Sequence, residues 1–435
     1  MKRNNAIAIF GLGFVGLPLS LFYCMKGYTV YGIDVSKELV DELNAGITRY
    51  IEQYNGVPIR QILADSLESG AFIPSVDASD ALKHCDKFIL TVGIPVNDGE
   101  LDFEPLKAAC CTVSTGLKKG DTVMIRSTVV PGTTEKMLVP ILESSGLKAG
   151  ADFNLVYCPE RISEGSAFKE FEEIPVVISG INKKSLEKGM EIIKIISRVN
   201  PLPVSSIKTA EMSKVVENIQ RDVNIAIVQQ LATLCGEIGI DIYELIASAN
   251  SHPRVNLLIP GPGVGGFCIP NALSYLKPVA EKTGADIGIF SLARKINGEA
   301  PLRIATRIID YLISAGKSPA ASKTAVLGIA MKDFSDDDRQ SPAKDIIASL
   351  MSAGMDVKAY DPCVAAEYPY KVNSIRQCLE KADCILIVVL QRGIDYNDFK
   401  FFRPLVNRDP VIFDAKRSVD VEKAEKSGFK VIRLI

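Results

Sequence analysis

Short apolar runs alternate with longer amphipathic stretches in the first part of the chain. The first run is AIAIF (6–10), a second ends at Asp34, and four more follow at residues 87–92, 121–128, 154–160 and 175–180. Uninterrupted apolar runs of this length are typical of strands buried on both faces of a parallel sheet, and the stretches between several of them indicate helices. We therefore predict an α/β fold that begins with a doubly wound, Rossmann-like parallel sheet.

From about Ile207 the pattern becomes helical, because apolar residues recur three and four positions apart as far as Leu231. A second long striped stretch follows, and strand–helix alternation returns at about Lys323 as a second Rossmann-like sheet. We predict three domains, at residues 1–205, 206–318 (central and helical, with a long connecting helix) and 319–435. An apolar-striped helix between two α/β domains is a natural surface for a homodimer or a higher homo-oligomer.

The loop GLGFVG follows the first run and carries G-x-G-x-x-G at Gly11, Gly13 and Gly16. In a strand–loop–helix unit the first glycine permits a tight turn, the second lets a pyrophosphate approach the backbone, and the third lets helix and strand pack closely. Asp34 ends the next apolar run. A carboxylate at this place binds the ribose hydroxyls of NAD and repels the 2′-phosphate of NADP. We expect no structural role for Asp34. The unit predicts NAD rather than NADP. Its candidate contacts are Gly11, Gly13, Phe14, Val15, Gly16 and Asp34.

Three segments that follow strands are further candidates, because ligands of such sheets lie at the carboxyl ends of the strands. The segments are VGIPV, STVVPGT and CPERISEG. Their candidate residues are Val92, Gly93, Thr128, Glu160, Arg161 and Glu164.

Composition excludes several classes of function. The 50 basic and 52 acidic residues nearly balance, and without a basic run interleaved with aromatic residues we expect no nucleic-acid partner. Ten cysteines without a C-x-x-C pair and only two histidines favour a reducing cytoplasm and disfavour a metal site. The apolar N-terminal stretch suits a membrane anchor or signal peptide in composition, but glycines and Pro18 interrupt it, and we interpret it as part of a soluble protein.

The segment GPGVGGFCIPNA (261–272) places Cys268 at the end of a glycine-rich loop. The residues alone leave three interpretations open: a packing residue, a metal ligand or a nucleophile. Lys214 and Asn218 are four apart and share one helical face, either as a solvated pair or as part of a site. Lys332 and Arg339 stand among acids in MKDFSDDDRQSP, either in a solvated loop or as phosphate contacts.

Taken in order, the motifs GLGFVG, STVVPGT, CPERISEG, AEMSKVVENIQRDVN, GPGVGGFC and KDFSDDDRQS resemble the UDP-glucose/GDP-mannose dehydrogenase family over nearly the whole chain. The resemblance implies an NAD-dependent enzyme that oxidises the C6 alcohol of a nucleotide sugar to a uronic acid for polysaccharide or glycoprotein biosynthesis. It makes residues 1–205 the NAD-binding domain and residues 319–435 the UDP-binding domain. SHPRVN (251–256) and GPGVGG look most like the branch that acts on UDP-N-acetylmannosamine or UDP-N-acetylglucosamine.

The same resemblance implies roles for individual residues. Cys268 matches the family's nucleophile, which forms a thiohemiacetal and then a thioester. Lys214 and Asn218 match the groups that stabilise oxyanions, and Glu160 with Thr128 matches the pair that positions a water. The remaining matches are Glu164 near the nicotinamide, Arg254 reaching the substrate of a neighbouring subunit, and the substrate contacts Arg161, Gly265, Lys332 and Arg339.

Two positions depart from the family pattern. Phe267 stands where many relatives in this branch have histidine, and Ala272 stands where they have an aspartate of the acid–base network. Asn271 lies one position before that aspartate. These departures bear on the second oxidation. Four alternatives stay open: UDP-glucose 6-dehydrogenation, a reaction that stops at the aldehyde, transient use of NAD in an epimerisation, and a catalytically silent nucleotide-sugar-binding protein.

Overall fold

The computed structural model describes residues 5–97 and 99–433. Within them the chain forms two compact units. The first unit runs up to Glu217 and includes residues 274–286, and the second comprises residues 218–273 and the chain from Ile287 onward. The domain boundaries that we expect at 205/206 and 318/319 stay a prediction.

The chain up to residue 206 alternates strands and helices. Its elements are β1 (Ala6–Phe10), α1 (Gly16–Met25), β2 (Thr29–Ile33), α2 (Lys37–Asn44), β3 (Gln53–Tyr54), β4 (Val57–Pro58), α3 (Ile59–Glu68), β5 (Phe72–Ser75), α4 (Ser79–His84), β6 (Lys87–Leu90), β7 (Val96–Asn97), β8 (Glu100–Leu101), α5 (Glu104–Gly116), β9 (Thr122–Ile125), a π-helical turn (Thr134–Leu138), α6 (Val139–Glu143), β10 (Asn154–Tyr157), α7 (Ala167–Glu173), β11 (Val177–Gly180), α8 (Lys183–Ile193) and β12 (Leu202–Pro203).

A helical region follows, and then a second series of strands and helices. The elements are α9 (Ile207–Ile238), α10 (Ile242–Asn250), α11 (Ala272–Thr283), α12 (Gly288–Ser314), a 3₁₀ turn (Pro319–Ala321), β13 (Lys323–Leu327), α13 (Pro342–Ser352), β14 (Asp356–Tyr360), α14 (Ile375–Leu379), β15 (Cys384–Ile387), α15 (Phe399–Phe402), β16 (Val411–Asp414), α16 (Val421–Lys426) and β17 (Lys430–Arg433). No helix among the described residues is both long and apolar enough to cross a membrane.

The larger sheet has the strand order β12-β11-β10-β9-β6-β1-β2-β5. All five residues of β1 are buried, which explains why its sequence shows no polar alternation. The predicted fold class is confirmed, with one strand pair that differs from a parallel sheet: β11 pairs antiparallel with β10, Val156 lying opposite Gly180. An antiparallel partner can start at the edge where the previous strand ends, so the short connection through α7 suffices.

The smaller sheet is parallel throughout, with the order β14-β13-β15-β16-β17. One face packs on α12 and α13, where Ile308 and Ile347 are fully buried. The other face packs on α14, α15 and α16 through Leu379, Phe402 and Ala424. The second Rossmann-like sheet predicted from the sequence is therefore confirmed.

Candidate active site

The strand order of the larger sheet reverses between β1 and β6, which is where ligands of open α/β sheets bind. The loops after β1, β6, β9 and β10 leave the sheet at this edge and are joined there by hydrogen bonds. The Thr91 hydroxyl donates to the carbonyl of Gly11 at 2.7 Å, and the Ser127 hydroxyl donates to the carbonyl of Val92 at 2.6 Å. The glycine loop, residues 92–96 and residues 127–133 therefore share one edge.

The glycine loop between β1 and α1 has three glycines in three different situations. Gly11 has a φ of +89°, in the left-handed region that favours glycine. A Cβ on Gly16 would lie 1.7 Å from the carbonyl oxygen of Gly11, so nothing larger than glycine fits there. A Cβ on Gly13 would meet no other described atom within 4 Å, which leaves the approach to its backbone open.

Asp34 follows β2 and makes contacts that the sequence did not predict. Its Oδ2 accepts a hydrogen bond from the backbone N–H of Leu12 at 2.7 Å, and its Oδ1 accepts one from Ser36 at 2.9 Å. Our expectation that Asp34 has no structural role is therefore wrong. The carboxylate ties the glycine loop to the segment that follows β2.

The STVVPGT loop (127–133) is fixed by a carboxylate from α9. Glu211 is fully buried and accepts hydrogen bonds from the backbone N–H groups of Gly132 and Thr134, the latter at 2.9 Å. Burial raises the pKa of Glu211, and these amide donors oppose that effect. Thr128 is half-buried in this loop.

Glu160 follows β10 and is held from two sides. Its Oε1 accepts the backbone N–H groups of Arg161 at 2.7 Å and of Ile162 at 3.0 Å, while its Oε2 accepts a hydrogen bond from the guanidinium of Arg126. Arg126, the first residue after β9, is only 1% exposed. The pair joins the loops after two neighbouring strands.

The CPERISEG loop (158–165), which also contains the half-buried Glu164, has further anchors. The backbone N–H groups of Gly165 and Ala167 donate to the buried carboxylate of Glu52 at 2.6 and 2.9 Å. The Arg161 guanidinium pairs with Glu217 of α9 at 3.0 Å.

Lys214 lies on α9 three residues after Glu211 and three before Glu217. Residues at this spacing share a helix face, so Lys214 lies on the side of α9 that contacts the loops at residues 127–133 and 158–165. Asn218 is one turn further on and 95% buried, but it belongs to the second unit.

The Cys268 loop belongs to the second unit and packs against the loop after β13. A Cβ on Gly265 would lie 2.8 Å from the carbonyl oxygen of Gln340, and a Cβ on Gly266 would lie 2.3 Å from the sulfur of Met331. The Gly266 N–H also donates to the carbonyl of Arg339 at 2.9 Å. The glycines therefore allow the backbone that carries Cys268 to lie directly on the loop of Lys332 and Arg339.

The thiol-bearing turn stands just before α11. Cys268 is exposed, Phe267 is half-buried, and Ala272 is buried as the first residue of the helix. Asn271 is 7% exposed, and its Nδ2 has no hydrogen-bond partner among the described residues.

The loop after β13 is rigidly tied. The Arg339 guanidinium binds both oxygens of Asp337 at 2.7 to 3.1 Å, while Asp333 pairs with Lys416 at 2.8 Å and accepts the N–H of Leu390 at 2.9 Å. Within this loop Phe334 has a φ of +57°, a backbone conformation that L side chains rarely adopt. Its side chain is largely exposed, at 55%. Lys332 is half-buried.

Arg254 lies in an exposed segment after α10, with its Nη2 3.5 Å from His252. The segment is fastened to α9 by Asn224, whose amide donates to the carbonyl of Asn256 at 2.6 Å and accepts the N–H of Leu258 at 2.9 Å. The candidate residues are divided between the two units. The first unit contains Thr128, Glu160, Arg161, Glu164 and Lys214. The second contains Asn218, Arg254, Gly265, Cys268, Lys332 and Arg339.

Sequence reasoning missed Arg126, Glu211 and Glu52. Charged residues are rarely buried unless they are paired, and Arg126 ends an otherwise apolar run. A charge in such a run is the signal that could have found Arg126. Glu211 and Glu52 carry no comparable signal.

The residues around the glycine loop fit an NAD cofactor. The backbone at Gly13 is open, and the N-terminus of α1 has no side-chain cap among the described residues, so its N–H groups can receive phosphate oxygens. Asp34 also presents a carboxylate at the end of β2. Together with the largely parallel sheet, these features indicate an NAD-binding protein with a Rossmann-like domain.

Three family domains match the chain in order: the NAD binding domain over residues 5–197, the central domain over residues 208–299 and the UDP binding domain over residues 325–421. The chain belongs to the UDP-glucose/GDP-mannose dehydrogenase family. It is thus an NAD-dependent UDP-sugar dehydrogenase by family, as the sequence predicted.

Several relatives resemble the chain over nearly its full length. The UDP-N-acetyl-D-mannosamine dehydrogenase of Pyrococcus horikoshii is 33% identical over 394 residues, which cover 91% of this chain and 90% of the relative. The UDP-N-acetyl-D-mannosamine dehydrogenase of Methanocaldococcus jannaschii is 32% identical over 435 residues, which cover 98% of this chain and 96% of the relative. The solved structure of the UDP-D-ManNAc dehydrogenase from P. horikoshii has a TM-score of 0.88 at 31% identity and covers 98% of this chain and 99% of its own.

Proposed function

We propose that this protein oxidises the C6 alcohol of a UDP-N-acetylhexosamine, with UDP-N-acetylmannosamine as the first candidate, to the uronic acid. The observation that carries the proposal is the contact within the second unit between the Cys268 loop and the loop of Lys332 and Arg339. A thiol on a loop that packs against a second loop carrying two cations suits a substrate that has a diphosphate and a reacting sugar. The relatives named as UDP-N-acetyl-D-mannosamine dehydrogenases support this choice of sugar.

The reaction needs a covalent step because an alcohol becomes an acid in two oxidations. NAD, which the glycine loop at Gly11, Gly13 and Gly16 would hold, would supply the hydride acceptor, one molecule for each oxidation. The Cys268 thiolate adds to the aldehyde to give a thiohemiacetal, whose oxidation leaves a thioester that water cleaves to the acid and the free thiol. Lys214 and Asn218 stabilise the developing oxyanions, and Glu160 with Thr128 positions the water.

The binding roles in the proposal are those that the family resemblance implies. Lys332 and Arg339 contact the diphosphate, Gly265 allows the close backbone approach, and Arg161 helps to hold the sugar. Glu164 contributes to the nicotinamide end. Arg254, exposed on its own subunit, reaches the substrate of a partner subunit.

The proposal includes a homodimer or higher homo-oligomer. The exposed large apolar residues of α9 and α12 support it, because such side chains are covered in stable oligomers. These residues include Ile227, Leu234, Ile238, Leu302 and Ile313. A cytoplasmic location stays a prediction, supported by ten cysteines that are all free thiols.

Ala272 favours one alternative reaction. It is buried and cannot supply the carboxylate that the resemblance implies at this position, so hydrolysis of the thioester is the step most open to change. A protein that stalls at the thioester, or that releases the aldehyde, is the second candidate.

The test is a panel of UDP- and GDP-sugars, with NADH yield and product mass measured for each sugar. We expect two NADH per UDP-N-acetylhexosamine and a product 14 mass units heavier, since two hydrogens are replaced by one oxygen (about 16 minus about 2). One NADH per sugar would indicate the aldehyde. Binding of NAD and UDP-sugar without NADH would refute the dehydrogenase function.

A further inference from the structure

Arg126 is the most buried cation of the candidate site and has few partners for its size. Its side chain is 1% exposed, and one of its nitrogens pairs with Glu160. Its Nε and Nη1 have no hydrogen-bond partner among the described residues. Burying a guanidinium with unmet donors is unfavourable, so stability alone gives little reason to retain arginine here.

Among the described residues, the groups that interact with Arg126 leave Glu160 as its only anionic partner. Tyr23 of α1 and Cys158 after β10 are the other two. Burial raises the pKa of Cys158 to about 11 and the pKa of Tyr23 higher still, so both stay neutral near pH 7. Arg126 is therefore the countercharge of the Glu160 carboxylate.

The pair also limits what Glu160 can bind. A carboxylate offers about four lone-pair sites. Two on Oε1 accept the N–H groups of Arg161 and Ile162, and one on Oε2 accepts from Arg126. One acceptor position remains, on Oε2, and its direction is set by the arginine on the same oxygen.

We propose that Arg126 is a positioning residue for thioester hydrolysis: it fixes the Glu160 carboxylate so that its single remaining acceptor position receives the attacking water. This inference rests on the proposed role of Glu160. Without the guanidinium, Oε2 has two open positions and the side chain can rotate, so the water loses its fixed direction. A misplacement of about 1 Å lowers a rate about 10²-fold.

A double-mutant cycle on the full-length protein tests the inference. Arg126→Met, Arg126→Lys and Glu160→Gln are made singly, and each arginine variant is combined with Glu160→Gln. The rate of uronic acid formation and NAD binding are measured for all. We expect Arg126→Met to slow acid formation about 10²-fold and Arg126→Lys to slow it less. In the Glu160→Gln protein, neither arginine substitution should slow acid formation further.

Equal losses in both backgrounds, or a wild-type rate for Arg126→Met, would overturn the inference. If Arg126→Met does not fold, Arg126→Lys carries the same comparison, and no loss or equal losses would overturn it. A Glu160→Gln protein with a wild-type rate would instead refute the proposed role of Glu160. Lys26→Met is the matched control, because it removes a cation 3.1 Å from the buried Glu172 in the same unit, and we expect unchanged acid formation.

Discussion

Gly13 and Gly16 belong to one motif, but the structure predicts opposite consequences when each is replaced by alanine. At Gly16 the new Cβ would lie 1.7 Å from the carbonyl oxygen of Gly11 and 2.7 Å from Oγ1 of Thr91. An ordinary C···O contact is about 3.4 Å, so the backbone of β1 or α1 must move. Overpacking of this kind costs about 3 kcal/mol, the upper end of the usual range, since a backbone atom cannot rotate away.

At Gly13 the new Cβ meets no other described atom within 4 Å, and the φ of this residue is outside the left-handed region. Gly13→Ala should therefore fold as well as the wild-type protein, or gain up to about 1 kcal/mol through a less flexible unfolded chain. The methyl group would instead occupy the approach of the pyrophosphate. Loss of one charge-assisted hydrogen bond, about 1.5–3 kcal/mol, weakens NAD binding about 10- to 100-fold.

Thermal unfolding and calorimetric titration with NAD separate the two effects. Gly16→Ala should lower Tm by about 6–12 °C, at about 2–4 °C per kcal/mol for a unit of this size. Gly13→Ala should keep its Tm and lose affinity for NAD. A Gly16→Ala protein with wild-type Tm would refute the packing argument, and a Gly13→Ala protein that binds NAD normally would place the pyrophosphate elsewhere.

Three further predictions concern single residues. Asp34→Asn should narrow the preference for NAD over NADP in kcat/KM and lower Tm slightly, since an amide is a weaker acceptor for the N–H of Leu12; a clear NADP preference of the wild-type protein would contradict the first part. Ala272 stands where the family has an aspartate, and its absence should slow hydrolysis of the thioester. Rapid mixing with excess substrate should then give an NADH burst and an acyl adduct on Cys268, and Ala272→Asp should raise the steady-state rate by at most about 10²–10⁴-fold. If there is neither an adduct nor a gain in rate, another group activates the water. Phe334→Asn should raise stability by about 1 kcal/mol in thermal unfolding, because asparagine tolerates a φ near +57° better than phenylalanine; a lower Tm would show that the ring packs usefully.

The order of domains and the identity of the glycine loop could be predicted from the sequence because both depend on local pattern. β1 is buried on all sides, so its five residues are apolar without alternation, and α9 begins at Ile207, where the three-and-four spacing begins. The glycines of GLGFVG are likewise required by turns and contacts within one strand–loop–helix unit. Neighbours in sequence carry this information.

What holds the candidate site together could not be predicted, because it depends on contacts between residues far apart in the chain. Glu160 is fixed by Arg126, which directly follows the preceding strand, and Gly132 is held by Glu211, 79 residues later. The antiparallel direction of β11 could not be predicted either, because the pattern of apolar residues does not indicate the direction of a strand.

The Cys268 loop shows the division most clearly. The sequence determined that a thiol follows a run of glycines, and the resemblance gave that thiol a role. Only the tertiary structure shows that Gly265 lies where a Cβ would meet the backbone carbonyl of Gln340 at 2.8 Å, and that the side chain of Met331 packs against Gly266. The physical reason is that a glycine required by a distant neighbour looks, in sequence, the same as one required by a local turn.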